Sequence, residues 1–251
     1  MIVALCSAKG APGVTTAAAL LAVTWPRPSL LIEADPSGGS LVARWAGSCD
    51  VSYEPGLISL AATRDTITAS VIEAHSQPIA DRARLLAAPP HPRQVRTALA
   101  SVADRTVAAF ACMGDVDAIV DCGRIDPTSP AMVFVRRGDV TLLVVRPRLA
   151  DVAVAEAVAA QLRDDASNVA LICVGDGPYH PSEVARHLGL PLAGVVAEDP
   201  RAAESLAVHG PNARGLTRSW LWRTVSDLSR LFATPAQHLD GCAAASTGVP
   251  V

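Results

Sequence analysis

Residues 7–16 read Ser-Ala-Lys-Gly-Ala-Pro-Gly-Val-Thr-Thr and stand between a short apolar run and an Ala/Leu-rich stretch. Gly10, Ala11, Pro12 and Gly13 suit a tight turn whose backbone N–H groups face outward, Lys9 adds an ammonium group, and Thr15 and Thr16 add hydroxyls. Amides gathered at a helix start, with a cation and a hydroxyl beside them, cradle phosphate oxygens and a divalent metal. The common spacing for such a loop is G-x-x-x-x-G-K-[ST]. Gly13 and Thr15 match it, Ala8 takes the place of the first glycine, and Val14 takes the place of the lysine. Valine brings no charge to a β- or γ-phosphate. Losing one charge-assisted hydrogen bond of ~1.5–3 kcal/mol corresponds to roughly one to two decades in affinity. Hydrolysis would suffer more, because the charge opposing the transition state is gone.

Two carboxylates follow at places where such a loop needs them. Asp35 closes Leu31-Ile32-Glu33-Ala34-Asp35 and precedes Pro36-Ser37-Gly38-Gly39, with Glu33 two residues before it. Asp121 closes the apolar run Ala118-Ile119-Val120-Asp121. Acids just beyond the carboxyl end of a strand are where a parallel-sheet protein gathers ligand chemistry. Lys9 is the only lysine in the chain, all other Lys/Arg positions being arginine. A compact ammonium and a planar guanidinium are not interchangeable at a phosphate, which gives position 9 a chemical reason to resist replacement.

These residues need a rigid frame. Short Val/Ile/Leu runs at Ile2–Cys6, Leu30–Glu33, Arg84–Ala88, Ala118–Asp121, Val140–Val145, Ala170–Val174 and Leu192–Val196 read as strands. They lack polar alternation, as strands buried on both faces do. Gly13–Thr24, Asp151–Arg163, Ser182–His187 and Pro200–His209 carry the spacing of crossover helices. Strands and helices in alternation predict an α/β, doubly wound, mostly parallel sheet flanked by helices. Pro36–Ala46 and Tyr53–Ser76 are expected as loop-and-helix insertions, and Leu216–Phe232 as a final amphipathic helix. One domain over 1–232 and a disordered tail over 233–251 complete the expectation.

Half of the residues are apolar but only 4% are aromatic, so the core must be built from Ala, Val, Leu and Ile. A formal charge of −3 argues against a globally basic nucleic-acid binder. The six cysteines lack a C-x-x-C pair or a nearby histidine at ligand spacing, which argues against a metal centre or disulfide framework. Every apolar run is interrupted before spanning length, and no basic leader precedes the first strand, so a cytoplasmic location is expected.

Lys9-Gly10-Ala11-Pro12-Gly13-Val14-Thr15 resembles the K-G-G-x-G-K-[ST] loop of the MinD/ParA family, deviant Walker A ATPases, at the first lysine, both outer glycines and the threonine. Glu33-Ala34-Asp35-Pro36-Ser37-Gly38 resembles the family's D-x-D-P-x-G switch, and Asp117–Gly123 its Walker B strand. Asp139–Pro147 and Leu188–Asp199 resemble later segments, although Ala197 replaces a proline and Gly175-Asp176 an asparagine that serve the base. The resemblance implies an ATP-responsive homodimer in which Lys9 reaches the partner's phosphates. It implies that Thr15, Asp35 and Asp121 serve Mg²⁺, that Asp35 also positions the attacking water, and that residues 10–16 hold the nucleotide. The cargo it implies belongs to division, partition, or secretion and pilus machinery, as in the related Tad-type pilus localisation proteins.

Other readings stay open. Val14, Ala8 and Ala197 also suit a non-enzymatic scaffold that no longer uses nucleotide. A dinucleotide reductase would need G-x-G-x-x-G, which the loop lacks. An iron–sulfur reductase would need a cysteine at a dimer face, with Cys122 the nearest candidate. The last helix mixes Trp220 and Trp222 with Arg214, Arg218, Arg223 and Arg230. That mixture fits packing on the sheet first, and a membrane surface or DNA second.

Overall fold

The computed structural model describes residues 1–10 and 12–233. The first strand, β1 (Ile2–Ser7), leads through the glycine-containing turn into α1 (Val14–Thr24) and then β2 (Ser29–Glu33). Short helices follow in the stretches expected to be irregular: α2 (Leu41–Trp45), α3 (Leu57–Ala62) and α4 (Ala69–Ala74). A hairpin of β3 (Gln77–Ala80) and β4 (Ala83–Leu86) precedes the long α5 (Pro92–Ala111) and β5 (Asp117–Arg124). The second half runs α6 (Met132–Arg137), β6 (Val140–Val145), α7 (Leu149–Asp165), β7 (Val169–Val174), α8 (Pro181–Leu188), β8 (Leu192–Val196), α9 (Pro200–His209) and α10 (Trp220–Ala233).

The eight strands lie in the order β3-β4-β2-β5-β1-β6-β7-β8. All pairs are parallel except β3 with β4. The doubly wound sheet expected from the sequence is therefore present. Successive residues of β1 enter opposite cores: Ile2, Ala4 and Cys6 meet Val95, Leu99 and Val102 of α5 in one cluster, while Val3 and Leu5 share the other with Leu20 and Leu21 of α1. Both faces being covered explains why the strand sequences do not alternate with polar residues.

Two elements depart from expectation. The strand expected at 84–88 has an antiparallel partner, β3, at the sheet edge, where Pro78 lies exposed opposite Arg84. A proline lacks the amide for an inner ladder and is tolerated at an edge. Helix α5 is not among the expected crossovers, yet Val95, Ala98, Leu99, Val102, Ala103, Thr106, Val107 and Phe110 form its buried stripe, and a proline opens its first turn. The apolar spacing of i, i+3 and i+4 is present in its sequence.

At the opposite end of the sheet from the glycine turn, Asp117 is fully buried and accepts hydrogen bonds from the Met1 amine at 2.9 Å and from Trp25 Nε1 at 2.8 Å. The last helix packs as its amphipathic pattern predicts, burying Leu221, Val225, Leu228 and Phe232 against the layer that contains α1. Of the predicted tail, only Ala233 is described, as the end of α10; the disorder expected there falls outside the described residues.

Candidate functional site

Strand β1 lies between β5 and β6, and the chain crosses over it on the way from β5 to β6. The carboxyl ends of these strands flank the point where the winding reverses, which is where open α/β sheets hold ligands. The turn after β1 opens there. Gly13 has φ +99°, a left-handed conformation that a side chain would strain, and it caps α1, with its carbonyl accepting from Ala17 N at 2.9 Å. A β-carbon added to Gly10 or Gly13 would meet nothing within 4 Å, so both glycines face open space.

That space is a cavity of about 720 Å³, within the range of small-molecule sites. Gly10, Pro12, Gly13, Thr15 and Thr16 line one wall, and Asp35 and Ser37 line another. Ala11 lies outside the described residues. The backbone ties the walls together, with Ala34 N donating to Asp121 O at 2.8 Å and Ile125 N donating to Ser7 O at 3.1 Å.

Asp35 Oδ1 accepts from Ser37 N at 2.7 Å, fixing the Asp-Pro turn. Its other oxygen lies over Gly123, whose φ is +57° and whose missing β-carbon would collide with the carboxyl group. Glycine at 123 is thus what lets the acid from β2 approach the end of β5. Asp121 is buried, and its Oδ1 accepts from Gly123 N at 3.0 Å. Burial pushes its carboxyl up to about 7; the Thr15 hydroxyl draws it down, and the charges of Asp35 and Glu33 raise it again. A hydroxyl and two carboxylates crowded together are an all-oxygen donor set of the kind that fits Mg²⁺. When bound, Mg²⁺ would neutralise phosphate charge. Thr15, Asp35 and Asp121 are the residues that could hold it, and of the two acids only Asp35 lines the cavity.

Glu33 has a different role from Asp35. Its Oε1 accepts from Ser40 N and Leu41 N at 2.7 and 2.9 Å, and its Oε2 from Ala88 N at 3.0 Å. Burial raises its pKa, and those amides lower it in part. The side chain is an internal brace for the segment that carries Asp35, and it does not line the cavity.

Lys9 stands outside the main cavity. Its ammonium group lies 3.4 Å from Asp151 Oδ1 of α7, with the side chain 51% exposed. Beside it a small hollow of about 20 Å³ is bounded by Gly10, Pro12, Arg146 and Asp151. Val14 opens α1 with its side chain in the apolar core, so no cation issues from that position. Sequence reasoning missed other charged residues of the cavity: Arg44 from α2, Arg124 from β5, Arg146 after β6, and Glu198 and Asp199 after β8. Arg146 was legible in principle, since it follows the carboxyl end of a strand adjacent to β1. The contribution of Arg44 depends on how α2 folds back, which no local pattern gives.

No family model matches the chain, and no curated relative does. Solved structures do. A ParA family ATPase from Chlorobium tepidum TLS superposes with a TM-score of 0.77 at 18% identity, over 91% of this chain and 97% of that one. The fold is that of the MinD/ParA ATPases. The septum site-determining protein MinD from Pyrococcus horikoshii OT3, complexed with Mg-ADP, follows at TM-score 0.67 and 18% identity, over 92% and 94% of the two chains. MinD in the MinC:MinD cell division protein complex of Aquifex aeolicus gives 0.70 at 17% identity, over 95% and 98%. Within this MinD/ParA fold, the glycine turn, the Asp35 segment and the Asp121 strand meet at one cavity. Cys122 is fully buried, so its thiol is not presented to any surface where a second copy could share a cluster.

Proposed function

We propose that the cavity binds ATP with Mg²⁺ and that the chain works as a nucleotide-responsive homodimer that positions a cellular cargo, with hydrolysis weak or absent. The observation that carries this reading is the meeting of Gly10, Gly13, Thr15 and Asp35 around a single 720 Å³ space, with the buried Asp121 hydrogen-bonded to Thr15 behind it, although they come from separate parts of the sequence. Residues 10–16 would cradle the phosphates, and Lys9, exposed on the flank, would reach the phosphates of a second copy. The structural neighbours include a MinD with Mg-ADP and a MinC:MinD cell division complex, which makes division or partition machinery the first class of partner to test. Secretion or pilus machinery is the second. Among the described residues no helix is long and apolar enough to cross a membrane.

The test is a titration of fluorescent ATP with and without Mg²⁺, alongside light scattering of the same samples. Mg²⁺-dependent binding and a doubling of mass that Lys9→Ala abolishes are expected. Absence of binding at millimolar ATP would reject the nucleotide reading. A second reading, a scaffold without nucleotide, is favoured by two features: Val14 is packed in the core and Lys9 is already paired with Asp151. It predicts that the mass is unchanged by ATP while the partner is still bound.

A further inference from the structure

If phosphates occupy the cavity, a cation must face them within the same chain, and position 14 provides none. Three arginines line the space: Arg44, Arg124 and Arg146. Arg44 and Arg124 are exposed and belong to the wall that carries Asp35 and Gly123. Arg146 differs in origin and in bonding. It follows β6, which runs beside β1 with Cys6 opposite Leu143, so its stem starts level with the glycine turn. Its side chain borders both the large cavity and the small hollow formed with Gly10 and Pro12.

The Arg146 guanidinium is incompletely satisfied. Its Nε is buried and, among the described residues, has no hydrogen-bond partner. Its Nη2 lies 3.4 Å from Glu198 Oε1, too long for the short contact of a well-made charged hydrogen bond. A buried donor without an acceptor is uncommon, and this one belongs to a side chain bordering both hollows, where an anion would supply the acceptor. Adjacent Nε–H and Nη2–H groups form the fork that grips two oxygens of one phosphate.

We propose that Arg146 is the phosphate-contacting cation of this site, replacing in function the lysine that position 14 lacks, with Glu198 as its resting partner. The assignment rests on the nucleotide reading above. Glu198 need not be left unpaired when Arg146 turns to phosphate, because Arg148 Nη2 already lies 3.6 Å from its Oε2. Glu198 is also held in place from behind: it lies so close to Gly175 that a β-carbon there would strike it. The pair of arginines thus shares one carboxylate, and a bound polyphosphate frees the one nearer the glycine turn. Lys9, 3.4 Å from Asp151 and outside the large cavity, does not fill this role.

The full-length protein, its Arg146→Ala, Arg146→Gln and Arg146→Lys variants, and Arg124→Ala as comparator would be titrated with fluorescently labelled ATP and AMP in Mg²⁺. Arg146→Ala is expected to weaken ATP binding roughly 10- to 100-fold with a much smaller effect on AMP, and Arg146→Lys to retain part of the difference. Arg146→Gln carries the same test if the alanine variant does not give a wild-type thermal transition. Wild-type ATP affinity in Arg146→Ala, equal losses for ATP and AMP, or a larger loss in Arg124→Ala would overturn the assignment while leaving the nucleotide reading intact. If the wild-type chain itself binds neither nucleotide, the nucleotide reading fails and this assignment fails with it.

Discussion

At the scale of single residues, the site is governed by which carboxylates are allowed to keep a charge. Asp121 has an ordinary value of 3.8 and is pushed to about 7 by burial, against the pull of Thr15. A native value above the unfolded one favours the protonated native state. In metal-free protein its contribution is therefore whole below about pH 4 and is lost as the pH rises through 7. Asp121→Asn removes this slope. Urea unfolding in EDTA between pH 4 and 8 should show the wild type losing up to about 1.4 kcal/mol per pH unit relative to the variant. Gly123→Ala acts on the neighbouring acid: the added methyl strains the φ of +57° and displaces the Asp35 carboxyl. The expected result is a loss of the Mg²⁺ dependence of nucleotide binding, read by fluorescent-nucleotide titration, with ADP retention reduced about tenfold or more. Both acids were legible as strand-end carboxylates. Glu33 was not legible as a brace, because its three amide donors come from residues 40, 41 and 88, which only the folded chain brings together.

Among the elements, α2 is the one whose placement has the most bearing on the site. It is a single turn and a half, too short to persist alone, and it brings Arg44 to the cavity. What holds it is Trp45, fully buried, whose indole Nε1 donates to Leu206 O of α9 at 2.8 Å. Cys49 packs against Gly210 just beyond α9, and Ser48 Oγ donates to Val208 O at 2.8 Å. Trp45→Ala should cost about 3–5 kcal/mol in chemical denaturation, and it should release both the Asp35 segment and the start of α9. Such long-range anchoring explains why residues 36–46 read only as an irregular insertion. By contrast, β1, β2, β5, β6 and β7 were legible to within a few residues, since a strand buried on both faces must be continuously apolar. The long α5 carries an equally clear spacing, masked by the arginines on its outer face. The last helix packs on the sheet through Leu221, Val225, Leu228 and Phe232, while Trp220, 67% exposed with Arg223 stacked 5.3 Å from its ring, and Leu231, 54% exposed, stay on its outer side.

For the whole molecule, the cavity joins two halves of one sheet. Asp35 and Arg124 come from the ends of strands on one side of β1, and Arg146, Glu198 and Asp199 from the other. A polyphosphate seated between them would add a side-chain link to the backbone ladders that already join those halves through β1. Hydrogen exchange should therefore slow on ATP addition at two separated places, residues 35–45 and residues 197–203, with little change in the already protected β1 and β5. Protection confined to one side would mean that the occupant does not span the cavity. The fold as a whole was readable because its logic is repetitive, strand then helix, with both faces covered. The site was readable only in part, because its negative groups sit in recognisable turns whereas its arginines are defined by tertiary proximity.

The solitary Lys9 has a practical corollary. The Met1 amine is engaged by Asp117 at the far end of the sheet, leaving one half-exposed primary amine on the rim of the glycine turn. An acylating dye should therefore tag the protein almost stoichiometrically at a single address. If a second subunit closes over that face, the tagging rate should drop sharply when ATP is present, giving a one-reagent clock for assembly.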